Sequence, residues 1–542
     1  MKNTKLLYGV AASCLLSLGC LVGCGKSKGG EDIYDGENLV LKLKNVYFDT
    51  WKGEDEYTRL LNEKFKVKID PSNYDYSGWD GSVITAVNGD NLTDVFHFNL
   101  KAYNYGSTYE KWVKGKVLKA LPDDLSKWPH LKSMIDDISN VDALKINGHL
   151  YGIPIANDIS NPVKDFSNFT YVYRRDWAKQ IDEANKNKAG YTPIYKEGDV
   201  YTWEEFNRLL AGFKAYPQDT QKSVLVDEKW GFPSVTNFYK DVPHCYAKDA
   251  NGKAINAFTS DKYVAGLEVA KNFISENYYS QDQFNFVDGK ANELYRGNQA
   301  AILYDNFSLA NYIKLIKAFK KKDMTGQALA DATAILKVKD PNGNFALEGT
   351  ENRFSMTLFN ADISDTKQEK ILDIIDWLLS EEGTRFAIYG REGYDYEMVD
   401  GKVVLNEMGW EKDSTGNYGP KTNGAKYLRY MATLGNDTKA IDPFTEADWD
   451  AFQTLESWSN EMKTAKQNNK LRVVKEPADI DWMSTPTKND KTESILNDAN
   501  THAMKYCYSY NGFKTIEDYK KKFDEDPSWG RILNEINQKL GK

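Results

Sequence analysis

Aromatic and planar polar side chains lie where several apolar runs of the sequence end. An aromatic ring can cover the apolar face of a sugar ring, and Asp and Asn side chains accept hydrogen bonds from hydroxyl groups. These residue types therefore predict recognition of a polar, ring-shaped ligand such as an oligosaccharide. The candidates for ligand binding are Trp51, Trp79, Asn99, Tyr103, Asp158, Trp230, Asp305, Asn306 and Trp410.

The composition supports this chemistry, although packing competes for the same rings. Aromatic residues make up 13% of the chain, with 34 Tyr and 13 Trp. Tyr and Trp combine an apolar ring with a polar tip, so many of them suit a cleft that is partly wet. Any single Trp can instead belong to a core, and both interpretations stay open for each candidate.

No enzyme motif stands in a context that would support catalysis. The one GxSxG match, Gly25-Lys26-Ser27-Lys28-Gly29, lies in a polar, glycine-rich segment and not in an elbow between a strand and a helix. There is no HExxH helix or phosphate-binding P-loop, and the five His residues are scattered. A glycoside hydrolase needs only two carboxylates across a cleft, and 79 Asp and Glu residues always allow such a pair. We therefore expect no catalytic residues and no cofactor, while a surface-anchored glycoside hydrolase remains the competing hypothesis.

One acidic segment resembles a calcium loop. Asp340, Asn342, Asn344 and Glu351 occupy EF-hand ligand positions, but Phe345 replaces the glycine that the sharp turn of such a loop needs. The Asn342-Gly343 pair favours a hairpin turn instead, and so we predict no metal site.

The N-terminal residues predict export and lipid attachment. Lys2 and Lys5 precede an apolar run that ends in Leu21-Val22-Gly23-Cys24, which resembles the lipobox of bacterial lipoproteins. This resemblance implies cleavage after residue 23 and lipid attachment at Cys24. Residues 24–37 are polar and rich in glycine, which is typical of a flexible tether. An uncleaved membrane anchor is the alternative for the same run.

Net charge and cysteine content bear on two further properties, nucleic-acid binding and disulfide bonding. A net charge of −9 without a dominant basic stripe argues against binding to nucleic acid. After export, Cys245 and Cys507 would be the remaining thiols, and a disulfide between them is possible but not implied.

Strand and helix patterns alternate along the chain. Residues 39–43 and 67–70 alternate as strands, and helical spacing occupies residues 55–66 between them. Residues 80–88 favour a helix before the strand at 94–99, and the region from about 445 is mostly helical. Alternation of this kind predicts an α/β fold with largely parallel sheets, whose ligands bind beyond the carboxyl ends of the strands.

Motifs over nearly the whole chain resemble the extracellular solute-binding proteins of carbohydrate ABC importers, above all the large lipoprotein branch. They occur in the order that this family shows. They are Thr93-Asp94-Val95-Phe96, Gly148-His149-Leu150-Tyr151-Gly152-Ile153-Pro154, Arg174-Arg175-Asp176-Trp177 with Thr202-Trp203-Glu204-Glu205-Phe206, Gly297-Asn298-Gln299-Ala300-Ala301, Trp377-Leu378-Leu379-Ser380-Glu381-Glu382-Gly383, and Tyr389-Gly390-Arg391-Glu392-Gly393-Tyr394-Asp395-Tyr396.

The resemblance implies a type II periplasmic-binding-protein fold, with two α/β lobes joined by a hinge. We expect the first lobe at 38–158 plus 350–398 and the second at 159–349 plus 399–542, with Asp158 at the hinge. The ligand would lie between the lobes and stabilise closure. The protein would be a monomer on the outer face of the cell membrane and would deliver an unaltered oligosaccharide to the permease subunits of an ABC importer. A binder of peptide or another polar solute would share this fold.

Overall fold

The computed structural model of the protein describes residues 32–49, 51–75, 78–99, 105–138, 141–157, 169–229, 231–349, 353–399, 402–406, 410–412, 418–420, 423–434, 446–481, 483 and 485–542. The predicted signal segment and Cys24 lie outside these ranges. Across the residues that are described, no helix has the length and apolarity that crossing a membrane requires.

The strands alternate with helices as the sequence predicts. The strands are β1 (Tyr34–Asp35), β2 (Asn38–Asn45), β3 (Val67–Asn73), β4 (Val95–Phe98), β5 (Gly152–Asn157), β6 (Phe169–Tyr173), β7 (Val200–Tyr201), β8 (Ser223–Asp227), β9 (Tyr246–Lys248), β10 (Ala254–Asn256), β11 (Ala300–Asn306), β12 (Ala334–Val338), β13 (Phe345–Glu348), β14 (Arg353–Phe359), β15 (Tyr396–Val399), β16 (Lys402–Leu405), β17 (Trp410–Lys412), β18 (Tyr418–Pro420), β19 (Thr433–Leu434) and β20 (Leu471–Val474).

The helices follow the amphipathic segments of the sequence. They are α1 (Glu56–Phe65), α2 (Trp79–Asn88), α3 (Tyr105–Lys114), α4 (Pro129–Asp136), α5 (Arg175–Asn185), α6 (Trp203–Ala215), α7 (Asp261–Ser275), α8 (Lys290–Arg296), α9 (Leu309–Lys320), α10 (Gly326–Ala332), α11 (Asp365–Leu379), α12 (Glu381–Tyr389), α13 (Gly424–Arg429), α14 (Glu446–Gln467), α15 (Ala478–Asp481), α16 (Pro486–Cys507), α17 (Ile516–Asp524) and α18 (Pro527–Lys539). Short 3-10 helices cover Val46–Phe48, Val141–Leu144, Glu197–Asp199, Ser234–Phe238, Ala257–Thr259 and Gln283–Asn285.

Side-chain caps start several of these helices where the sequence offers a Ser, Thr or Asp. Thr202 accepts a hydrogen bond from the backbone N–H of Glu205, and the Glu205 carboxylate accepts one from Thr202, which closes a capping box at the start of α6. Asp55 caps α1 in a similar way by accepting from the Thr58 N–H. The cap satisfies backbone donors that the first turn of a helix leaves unpaired.

The first sheet has the order β1-β2-β4-β14-β5-β19, and β3 pairs with β2. Strands β2, β3, β4, β5 and β19 run in one direction, while β14 runs against both of its neighbours. One buried cluster surrounds this sheet and reaches from Leu39 to Ala432 along the chain.

The second sheet has the order β7-β12-β6-β11-β8. Four of these strands run in one direction, and β6 runs against both β12 and β11. Alternate residues enter different cores, because Tyr171 and Tyr173 join one buried cluster while Val172 joins another. Helices cover both faces, as expected for a sheet that is buried on two sides. Two sheets with separate cores confirm the predicted two-lobed α/β fold.

Each sheet has one internal strand that runs against both of its neighbours, and the chain enters that strand from the other lobe. Strand β6 follows β5 of the first sheet, and β14 follows β13, which packs with the core of the second sheet. A strand that starts at the carboxyl edge of its sheet must run against its parallel neighbours. A further connection runs from β19 to α14, whose Leu455 and Trp458 lie in a second-lobe core.

The exact bounds of the two lobes remain a prediction, but one segment packs with a different lobe from the one predicted. Residues 423–434, which we assigned to the second lobe, pack with the first: Leu428 and Met431 join the core of the first sheet. Strand β19 pairs with the end of β5 through Thr433 and Ala156. The chain thus returns to complete the edge of the first sheet, a long-range pairing that local sequence patterns do not record.

The apolar spacing of residues 365–389 predicts one long helix, whereas the structure has two, α11 and α12. Ser380 ends α11 and caps α12, where its Oγ accepts from the backbone N–H of Gly383. A Cβ at Gly383 would lie 1.9 Å from the Trp377 carbonyl oxygen, so the bend needs a residue without a side chain. The helical periodicity continues across this bend, and for that reason the pattern predicted one helix.

Several charged residues stabilise turns and buried contacts. The Asp340 carboxylate accepts from the backbone N–H groups of Asn342 and Asn344, which confirms a turn at this segment. Buried Arg174 donates to Asp176 and to Asn298. Asp395 accepts from the Arg391 backbone and guanidinium, and so it pins a turn.

Both remaining cysteines are buried in the same core. Cys245 and Cys507 are free thiols. Burial raises the pKa of Cys507 to about 12, so this thiol stays protonated and unreactive at neutral pH.

Candidate functional site

The carboxyl edges of the two sheets meet at the connections between the lobes. Strand β5 ends at Asn157 and β6 begins at Phe169, while Glu348 of β13 and Arg353 of β14 flank another connection. Five peptide units separate Glu348 from Arg353, and they cannot span more than about 18 Å. Glu348 lines one cavity with Phe169 and Tyr304, which lie at the carboxyl edge of the second sheet. The carboxyl edges of the two sheets therefore lie close together, and ligands of parallel sheets bind at such edges.

A tyrosine patch lies at this edge of the first lobe, formed by Tyr47, Tyr427 and Tyr430. All three side chains are half-buried. Tyr47 follows the end of β2, and its ring centroid lies 5.7 Å from that of Tyr430 and 5.5 Å from that of His97. Rings that are packed on one side and open on the other are suited to stacking against a sugar.

Trp51, a predicted ligand residue, is buried beneath this patch with only 4% of its surface exposed. Its indole Nε1 donates to Asp55 Oδ2 at 2.7 Å, and Tyr427 lies parallel to it with a centroid separation of 5.5 Å. The indole N–H and one ring face of Trp51 are thus both in contact with residues of the first lobe. In this arrangement Trp51 supports the patch and offers no free face to a ligand.

Trp79 is likewise a core residue in the structure. It is 3% exposed, its ring lies 4.3 Å from that of His97, and its Nε1 donates to the His97 carbonyl oxygen at 2.8 Å. His97 Nε2 lies 2.5 Å from Ser355 Oγ, and burial holds the pKa of His97 well below its usual value. Asn99 follows β4 directly and is half-buried at the carboxyl edge, where a ligand residue was predicted.

Asp305 and Asn306 end β11 at the carboxyl edge of the second sheet. Asp305 is 9% exposed, and its carboxylate accepts from the Asn292 side chain and from the Asn306 backbone N–H. Burial, helped by the nearby Glu228 charge, raises the pKa of Asp305 to about 6. Half-buried Asn306 accepts from the Ser308 backbone N–H. Both side chains thus shape the strand end, and their ligand role stays a prediction.

A buried carboxylate organises the loop after β8. Asp227 accepts from the backbone N–H and the hydroxyl of Ser234 and from the Tyr279 hydroxyl, each at 2.8 Å. Burial raises the pKa of Asp227 to about 7, although these donors lower it. Its neighbour Glu228 accepts from the backbone N–H groups of Gly289 and Asn292 at the start of α8. These contacts fix the carboxyl end of β8.

An ion pair lies beside the connection into β14. Lys240 Nζ is 2.9 Å from Glu348 Oε1, and the two side chains are 10% and 22% exposed. Burial alone would raise the pKa of Glu348, but Lys240, with His244, holds it below its usual value. The pair thus anchors β13 at the point where the chain leaves the second lobe.

Aromatic side chains also border the second sheet at this edge. Phe169, the first residue of β6, stacks on Tyr304 with a centroid separation of 5.8 Å. Phe232, which follows the β8 loop, lies 6.4 Å from Tyr508 between ring centroids, and both rings are half-buried. The second lobe therefore has its own aromatic surface, formed by Phe169, Phe232 and Tyr508.

The other predicted ligand residues have no described side chain. Tyr103, Asp158 and Trp230 lie outside the described residues. Trp410 belongs to strand β17, which pairs with β18. Their ligand roles remain predictions.

Within the ranges that the structure covers, no three His, Cys, Asp or Glu residues are grouped so that they could hold a metal ion. Asp340 directs Oδ1 to two backbone N–H groups and Oδ2 to Arg472 Nε, 3.3 Å away. Its oxygens thus have partners in the turn and on β20.

The tyrosine patch was not predicted from the sequence, for two reasons. Tyr47 lies four residues before Trp51 in the same loop, and the larger ring was preferred. The segment with Tyr427 and Tyr430 was assigned to the other lobe. A signal was present at 424–430, because Ala425 and Leu428 are apolar at helical spacing while Lys426 and the two tyrosines are amphipathic.

No protein-family model and no curated protein sequence matches the chain. Solved structures do match over nearly the whole length. An alginate-binding protein, AlgQ2, in a calcium-free form, is 13% identical with a TM-score of 0.60, covering 93% of this chain and 98% of that chain. The chain has the fold of the two-domain solute-binding proteins.

Two further solved structures share this fold. An HMO-binding solute-binding protein associated with an ABC transporter, from Bifidobacterium longum infantis, is 15% identical with a TM-score of 0.60, covering 93% of this chain and 99% of that chain. The S. pneumoniae ABC-transporter substrate-binding protein FusA, an EF-hand mutant in complex with fructo-nystose, is 14% identical with a TM-score of 0.57 and the same coverage. At these identities the likeness establishes the fold.

Proposed function

We propose that the protein is a lipid-anchored solute-binding protein that captures an oligosaccharide outside the cell membrane. It passes the sugar unchanged to the permease subunits of an ABC importer, and it acts as a monomer. The observation that carries this proposal is the half-buried patch of Tyr47, Tyr427 and Tyr430 at the carboxyl edge of a two-lobed fold. The solved structures of this fold include proteins named for binding alginate, HMO and fructo-nystose, which supports a carbohydrate ligand.

The physical basis is a population shift between open and closed arrangements of the lobes. A sugar that contacts the tyrosine patch alone gains the same free energy in both arrangements and moves neither. A sugar that also contacts the aromatic surface of the second lobe gains more in the closed one. Closure therefore reports binding, and a permease can recognise the loaded form.

Membrane attachment through Cys24 is part of the proposal. The lipobox-like segment Leu21-Val22-Gly23-Cys24 places this thiol before a polar, glycine-rich tether. More than one acyl chain is needed for stable anchoring, because one chain alone holds a protein only weakly. A Cys24→Ala variant should lose incorporation of labelled fatty acid, whereas a Cys20→Ala variant should retain it.

The test of the function is a ligand screen with the mature protein. Oligosaccharides of several linkages and lengths are added one by one, and thermal unfolding is followed. A ligand at a hundred times its dissociation constant should add about 2.7 kcal/mol to the free energy of unfolding. Peptides of similar size serve as the comparison set. Stabilisation by peptides alone would refute the carbohydrate assignment.

The same samples distinguish a binder from a hydrolase. After prolonged incubation with a catalytic amount of protein, the sugars are separated by length. We expect every stabilising sugar to be recovered at its original length. Shortened products would replace the proposal with a surface-anchored glycoside hydrolase.

A further inference from the structure

Lys426 is half-buried, and none of the carboxylates that the structure describes pairs with it. Its side chain is half-buried on α13, where Ala425 and Leu428 enter the first core. Among the residues that the structure describes, no carboxylate forms an ion pair or hydrogen bond with its ammonium group. Burial lowers the pKa of Lys426, and no neighbouring charge offsets that effect.

Other lysines with little exposed surface each pair with a carboxylate. Lys240 pairs with Glu348, Lys337 with Glu461 and Lys367 with Asp94, at distances from 2.6 to 2.9 Å. An ammonium group that leaves water without a partner loses solvation free energy and regains none of it. Lys426 departs from this pattern, so its position favours a partner that is not part of the described chain.

The surroundings of Lys426 indicate where that partner would lie. Lys426 precedes Tyr430 by four residues, and side chains at this spacing share one face of a helix. Tyr430 contacts Tyr47 at the end of β2, and Tyr427 lies between Lys426 and Tyr430 in the sequence. This spacing places Lys426 on the side of α13 that carries Tyr430, a member of the tyrosine patch on which the proposed sugar would stack.

We propose that the ligand is an anionic oligosaccharide, and that Lys426 binds an acidic group of the sugar ring stacked on the tyrosine patch. This inference rests on the proposed function. The group is a carboxylate, as in a uronic acid, or a sulfate, since both present oxygen atoms that accept from an ammonium group. The chain carries a net charge of −9, so the attraction for an anionic sugar has to come from a local cation.

The test compares matched sugars with and without the charge. Uronic acid oligosaccharides of three to six residues are titrated beside their carboxyl-reduced counterparts, which keep the linkage and the ring but are neutral. Sulfated oligosaccharides form a third set and distinguish the two acidic groups. We expect wild-type protein to bind at least one acidic sugar tenfold or more tightly than its neutral counterpart.

Variants assign that preference to one side chain. Lys426→Met should abolish the preference for the acidic sugar while leaving the affinity for the neutral counterpart within twofold, and Lys426→Arg should keep it. Lys214→Met removes an exposed charge from the second lobe and should change neither affinity. Because Lys426→Met removes an unpaired ammonium, its melting temperature without ligand should equal or exceed that of the wild type. A clear fall in that temperature would contradict the description of the site.

The outcomes separate this inference from the function on which it rests. Equal affinity for acidic and neutral sugars, or a preference that survives Lys426→Met, would overturn the inference and leave a carbohydrate binder. Failure of every acidic and every neutral sugar to bind would overturn both.

Discussion

Tyr427 lies face to face with Trp51, with ring centroids 5.5 Å apart and ring planes inclined by 10°. The contact joins α13, late in the chain, to the loop after β2 near its beginning. Asp55 adds a second link, because it accepts from the Trp51 indole and from the Gly424 backbone N–H. The floor of the tyrosine patch is therefore assembled from segments more than 350 residues apart in sequence.

Replacing Trp51 should affect stability before it affects ligand affinity. Trp51→Ala should lower the free energy of unfolding by about 3–5 kcal/mol, since it empties a buried site and leaves Asp55 without one donor. Urea unfolding measures this change. Trp51→Phe keeps a stacked ring and should cost clearly less. If Trp51→Ala unfolded at the wild-type urea concentration and only bound ligand more weakly, Trp51 would be a contact residue after all.

Tyr47 should show the opposite pattern. Tyr47→Ala removes a half-buried ring from the patch, and we expect about tenfold weaker binding of the oligosaccharide that the screen identifies, or about 1.4 kcal/mol. Titration calorimetry gives the affinity, and unfolding should reveal a smaller loss of stability than for Trp51→Ala. Tyr47→Phe should bind nearly as the wild type does. Tyr195→Ala, in the second lobe, is the matched control, and an equal loss of affinity there would contradict a local role.

The Lys240–Glu348 pair should be coupled energetically. Lys240→Met, Glu348→Gln and the double variant form a cycle, and we expect a coupling free energy of about 1–3 kcal/mol at pH 7. Because the pair lowers the pKa of Glu348, its stabilisation is present above the unfolded value near 4.5. It should disappear as the pH falls through the lowered pKa. Additive effects at pH 7 would show that the ion pair does not anchor β13.

Asp227 should make stability fall as the pH rises. Its pKa is about 7 in the folded protein and 3.8 is the ordinary value, so the folded state holds a proton that the unfolded state has lost between these values. The stabilisation is complete below pH 3.8 and is lost as the pH rises through 7, at up to about 1.4 kcal/mol per pH unit.

A variant isolates this contribution from the other titrating groups. Urea unfolding of wild type and Asp227→Asn at pH 5, 6, 7 and 8 should show that the stability difference between them shifts in favour of the variant as the pH rises. Asp282→Asn removes a carboxylate from an exposed position and is the control variant. A constant difference for Asp227→Asn would mean that the buried carboxyl titrates normally.

The alternation of strands and helices was predictable because each element is short and its apolar period is local. Residues 39–43 and 67–70 fall inside β2 and β3, and the turn at Asp340 follows from its Asx and glycine residues. The break at Ser380 was not predicted, since the apolar period continues across it. The two-lobed organisation was predicted from the resemblance of ordered motifs along the chain to those of a known family.

The site itself was less predictable from the sequence. Position at a strand end correctly placed Asn99 and Asn306 at the carboxyl edges, because strand direction fixes where the next residue lies. The same rule failed to separate Trp51 from Tyr47, since burial of a loop ring depends on whether a distant segment covers it. Here α13 covers Trp51, and nothing in the local sequence indicates that contact.

The central claim is that a sugar is held between the two lobes, and the distance between the lobes tests it most directly. Spin labels on Lys132→Cys in α4 and Lys214→Cys in α6 report this distance in the mature chain without Cys24; both positions are exposed, and the native thiols at 245 and 507 are buried. Saturating amounts of the oligosaccharide found in the screen should convert a longer or broad distance distribution into a shorter, narrow one. Tyr47→Ala should require more sugar for the same conversion. An unchanged distribution at full occupancy of the wild type would contradict the account.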